Sequence, residues 1–147
     1  MMWGRAQTLL SRFHAWRYGR AVRRALALQL RGEARSDGLD LVRVRNRLEI
    51  RWRSRDTHPW DCDVTGERRE QLFREQLVAD TEAAILRLFD AFPQIDRIDL
   101  QVLEPASEEV ILSGTVYRSD LSAVQEFVSV RMRLQHLGVR FSRQLTP

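Results

Sequence analysis

The chain has 147 residues, 44% of them apolar and 30% charged, which is enough for one globular domain that needs neither disulfides nor a structural metal. All 24 basic residues are arginine, so chemistry that needs a lysine amine is absent, and the single Cys62 excludes an intramolecular disulfide. The net charge of +4 is unevenly spread: residues 1–55 hold 14 arginines against four acids, and residues 56–147 hold ten arginines against 16 acids. An arginine-only basic set is also what a GC-rich genome writes, so the lopsided distribution carries more weight than the total.

Residues 1–32 contain seven arginines and no acid and read as helix, with a bend or break near Gly19. Residues 1–20 form a basic, aromatic, amphipathic arm, and residues 21–147 a single α+β domain. In the arm, Trp3, Phe13 and Trp16 alternate with Arg12, Arg17 and Arg20, a pattern that suits a lipid headgroup layer, a groove on another protein, or packing on the chain's own domain. No run approaches the roughly 20 apolar residues of a membrane-spanning helix. A cytoplasmic location is the first expectation; import into an organelle through the acid-free N-terminal segment is the alternative.

Leu39 to Arg55 reads as strand, folded into a hairpin near Arg45-Asn46-Arg47 because 17 residues exceed an ordinary strand. Odd and even positions alternate without a break from 42 to 55. Val42, Val44, Leu48, Ile50 and Trp52 are therefore assigned to a core face, and Arg43, Arg45, Arg47, Arg51, Arg53 and Arg55 to an outer face of six guanidinium groups. Glu67 to Phe92 is a helix with Phe73, Leu77, Ala84, Ile85, Leu88 and Phe89 on its apolar stripe, ended by Pro93. Residues 95–103 and 110–118 alternate as strands around the loop 104–109, and their outward positions Asp99, Gln101, Ile111, Ser113, Thr115 and Tyr117 join the arginine face. Ser119 or Asp120 caps a last helix to about Leu137, with Gly138 as its C′ residue. The expected fold is thus an N-terminal helix followed by ββαββα, a four-stranded, mainly antiparallel sheet with helices on one face.

Chemically capable groups gather in the loop 56–63, where His58, Asp61 and Cys62 stand close in sequence. Their spacing matches no usual zinc or calcium pattern, and carboxylates flanking Cys62 raise rather than lower a thiol's pKa. Mid-helix Asp80 and Glu82 read as partners of arginines. No phosphate loop, nucleophile elbow or zinc-protease motif is present, and no catalytic residue, metal or cofactor is assigned. The function that follows is a small non-enzymatic binding or adaptor protein. Its arginine face, with Tyr117, and its basic arm engage an acidic partner protein or assembly. The alternatives, in order, are nucleic-acid binding, peripheral association with an anionic membrane through the arm, and an enzyme with a site around His58 and Asp61.

Overall fold

A computed structural model describes residues 20, 22–24, 39–56 and 65–142. Five strands form one sheet in chain order: β1 (Leu39–Val44), β2 (Arg47–Arg53), β3 (Arg97–Leu103), β4 (Val110–Tyr117) and β5 (Val139–Phe141). Helix α1 (Gly66–Ala91) links β2 to β3, and the short α2 (Val130–His136) lies between β4 and β5. The α+β class holds, as do the hairpin, α1 and the two strands that follow it. Arg20 and Val22–Arg24 are helical, and Val22 is fully buried.

Three corrections concern architecture. The sheet has five strands rather than four, because residues 139–141 add an edge strand too short to show a period. Three of the four pairings are antiparallel, but β2 and β3 run parallel. The cause is α1: its 26 residues span roughly 39 Å, which carries the chain back to the end where β2 began. Finally, the last helix is confined to residues 130–136. Arg118–Asp120 form a single 3-10 turn, and residues 121–129 are turns and bends.

Arg133 explains that irregular stretch. Its Nη1 donates to the carbonyls of Phe127 (2.6 Å) and Val128 (2.8 Å), while Nε and Nη2 grip Glu82 of α1 at 2.7 and 3.0 Å. Ser129, rather than Ser119 or Asp120, caps α2 by accepting from the Met132 amide. Gly138 does sit beyond the helix with φ +96, the left-handed conformation expected of a C′ residue.

One core joins the layers. Leu77, Thr81, Ala84, Ile85, Leu88 and Phe89 of α1 and Leu134 of α2 pack with Leu48, Ile50, Trp52, Ile98, Leu100, Val102, Leu112 and Val116 of the sheet. Thr81 sits at the centre of the helix stripe, fully buried, and its hydroxyl donates back to the Leu77 carbonyl at 2.7 Å. Asp80 and Glu82 flank it and take Arg55 and Arg133 as partners.

The β1–β2 hairpin closes on two residues, Arg45 and Asn46, with Val44 paired to Arg47. Arg45 has φ 56 and Asn46 a negative φ, the pattern of a type II′ turn, whose first position belongs to glycine. Arg45→Gly is accordingly expected to stabilise the fold by about 1 kcal/mol, read as a higher urea midpoint at an unchanged slope.

Candidate binding face

The two-residue turn decides which arginines share a face. Because Val44 pairs with Arg47, parity reverses at the turn: Leu39, Leu41 and Arg43 lie on the side of Trp52, Ile50 and Leu48, whereas Asp40, Val42 and Val44 lie with Arg51, Glu49 and Arg47. The expected row of six guanidinium groups is therefore broken up. Arg43 is on the helix-covered side, where its Nη2 donates to Gln94 at 3.3 Å and its Nε to the Arg45 carbonyl at 2.8 Å. Arg45 is in the turn. Arg55 follows the end of β2 and forms a two-pronged pair with Asp80, 2.7 and 3.1 Å.

Arg47, Arg51 and Arg53 remain on the outer face, and the registers add Arg97 beside Arg47 and Arg140 beside Ser113. The parity of β3 had put Arg97 within reach of sequence reasoning; Arg140 was hidden with β5. Asp99, Gln101, Ser113, Thr115 and Tyr117 lie on this face as expected, but Ile111 is buried beyond the register slip at Val102/Leu103. Val42 and Val44, assigned to the core from the sequence, are 52% and 44% exposed here.

Carboxylates thread between these arginines. Asp99 accepts both prongs of Arg97 at 3.1 Å and the Thr115 hydroxyl at 2.7 Å, with the Arg47 Nε at 3.6 Å; Arg47 also reaches Glu49 at 2.7 Å. Further along, Arg51 and Arg53 converge on Glu108 of the β3–β4 loop, and Arg53 also donates to the carbonyls of Glu104 and Ser107. Arg97 lies 5.9 Å from the centre of the Tyr117 ring. Half-exposed pairs of this kind contribute at most about 1 kcal/mol each, so their main effect is to hold the guanidinium planes in place.

Burial pushes the Asp99 carboxyl up, but the hydrogen bonds from Arg97 and Thr115 and the charges of Arg97 and Arg47 outweigh it and hold the group below the usual carboxylate range. The same hydrogen bond raises Arg97 above the usual arginine value. A folded value below the unfolded one means that Asp99 contributes stability above about pH 4 and loses it as pH falls through the folded value. In urea unfolding followed from about pH 2 to 7, Asp99→Asn is expected to lie below the parent at neutral pH and to converge with it at the acid end.

Among the described residues no group of three or more His, Cys, Asp or Glu side chains is placed to hold a metal, and no helix is long and apolar enough to cross a membrane. His58, Asp61 and Cys62 lie outside the described residues, as do Trp3, Arg12, Phe13, Trp16 and Arg17; Arg20 is described and exposed. A cleft of about 420 Å³ between α1 and α2 is mainly apolar, with Leu77, Val78, Val130 and Phe141 in its lining. No protein-family model, curated protein or solved structure matches the chain.

Proposed function

We propose that the chain is a non-enzymatic binding protein that engages an acidic partner protein through the open face of its sheet. The observation that supports this is the sharing of carboxylates: Arg51 and Arg53 both rest on Glu108, itself 71% exposed, and Arg47 and Arg97 both rest on Asp99. A guanidinium carries five N–H donors, so two guanidiniums on one carboxylate keep donors for further acceptors, already oriented. Val42, Val44 and Tyr117 add exposed apolar area to the same face.

A protein surface suits this face better than a polyanion. Arginine and carboxylate alternate across it, and a nucleic acid would have to displace Glu49, Asp99 and Glu108 before it gained each phosphate contact. Arg51→Gln with Arg140→Gln is expected to leave the fold intact and to weaken capture of a partner protein from native extract roughly tenfold, with a shallower dependence on salt. Capture unaffected by the two changes would overturn the reading, and recovery of nucleic acid instead of protein would overturn it in favour of the polyanion.

A further inference from the structure

We infer that Arg51 and Arg53 form a socket for an acidic side chain of the partner protein, and that Glu108 fills this socket in the unbound chain as a stand-in that the partner displaces. The inference rests on the open-face reading and adds where the partner's carboxylate enters and what holds that place shut. Arg51 and Arg53 stand two residues apart on the same side of β2, so their guanidinium groups are neighbours. Arg51 Nη2 donates to one oxygen of Glu108 at 3.2 Å, and Arg53 Nη2 donates to the other. The two oxygens mark where an incoming carboxylate sits.

The socket stays built when Glu108 leaves. Arg53 is anchored through its other terminal nitrogen, for Nη1 donates to the carbonyls of Glu104 and Ser107 and keeps Nη2 aimed outward. The loop is pinned as well. The Glu104 amide donates to the Glu109 carbonyl at 2.9 Å, the Ser107 hydroxyl donates to the Glu104 carboxylate, and the Glu109 amide donates to Ser107 Oγ at 3.3 Å. Opening therefore requires the rotation of one exposed side chain and no movement of the backbone.

Glu108 is the carboxylate of this face that is easiest to exchange. Its side chain is 71% exposed and, among the described residues, its partners are the two arginines. Asp99, by contrast, is 24% exposed and accepts from both Arg97 and Thr115, and Glu49 is set within β2 beside Arg47. From the socket the row Arg51, Gln101, Ser113 and Arg140 crosses the sheet without an acid in it, so a partner segment laid along that row meets hydrogen-bond donors throughout. One exchangeable position suits a protein carboxylate, whereas a polyanion needs several opened together.

Fluorescence anisotropy of a labelled peptide of about five Glu-Ala repeats, titrated with the full chain, tests the inference. Glu108→Gln is expected to bind it about five- to tenfold more tightly than the parent, because a competitor that occupies the site most of the time has been removed. Glu109→Gln is the control. It removes the same charge from the next position of the loop, where no described arginine is paired with it, and should change affinity by less than about twofold. In an Arg51→Gln background, with half of the socket gone, the gain from Glu108→Gln should shrink to about twofold or less.

Equal affinities of Glu108→Gln and Glu109→Gln, or an undiminished gain in the Arg51→Gln background, would overturn the inference. The open-face reading would outlive it if Arg51→Gln with Arg140→Gln still weakened peptide binding. Absence of peptide binding in every form, or binding that none of these changes alters, would overturn both. A gain confined to a DNA oligonucleotide of similar charge would assign the socket to phosphate and overturn the inference as well.

Discussion

A Gly114→Ala chain is expected to lose about 2–4 kcal/mol of stability, seen as a lower urea midpoint. A β-carbon at Gly114 would stand 2.4 Å from the Gly138 carbonyl oxygen and 2.8 Å from the Val139 Cα. Both are backbone atoms, so no side chain can rotate aside and β5 itself has to move. Gly138 is bound to the same spot from the other side: its φ is +96, and a β-carbon there would meet the Thr115 carbonyl oxygen at 2.8 Å. The two glycines let β5 approach β4 closely enough to bury Val139 and to bring Phe141 against the core. Gly66→Ala is the control, with nothing within 4 Å of the new atom. It should be neutral or slightly stabilising, as in any unstrained helical position.

Arg118→Ala is the second large effect, about 2–3 kcal/mol in the same assay. Helix α1 has no basic residue in its last turn and runs into Phe92, and Pro93, four residues after Phe89, has no amide to offer the Phe89 carbonyl. Arg118 supplies donors from the end of β4: Nη2 donates to Phe89 and Phe92 at 2.9 and 2.7 Å, and Nε donates to Ile95 at 2.8 Å. The guanidinium also lies 4.7 Å from the centre of the Phe89 ring, and its positive charge sits at the negative end of the helix dipole. Truncation removes all three donors at once, and of the three carbonyls that of Phe92 keeps the Ile95 amide at 3.1 Å. Lysine cannot bridge the set, because one ammonium lacks the planar fork, so Arg118→Lys should recover only a minor part.

Much of the fold was legible because its signals are local. The stripe from Phe73 to Phe89 marks α1 to within a residue or two, and the hairpin turn falls at Arg45-Asn46. The face that bears the arginines was misread for a local reason too. Alternation was carried straight through a turn that reverses it, which put Val42 and Val44 in the core and Arg43 outside. The parallel β2–β3 pairing depends on where α1 delivers the chain, and β5 on a close approach of two glycines; neither leaves a period in the residues concerned. Residues 121–129 carry Leu121, Val124 and Phe127 at helical spacing, yet Arg133 takes two of their carbonyls and Val128 ends up 95% exposed. Propensity yields there to one side chain six positions downstream.

The parallel pairing of β2 with β3 also bears on how the molecule assembles. β1–β2 and β3–β4 are each closed by a short connection and can zip up independently, whereas Leu48 meets Ile98 only after α1 has been laid across both. That middle seam is expected to be the slowest join, and hydrogen exchange should show the two ribbons on either side of it separating before either one opens.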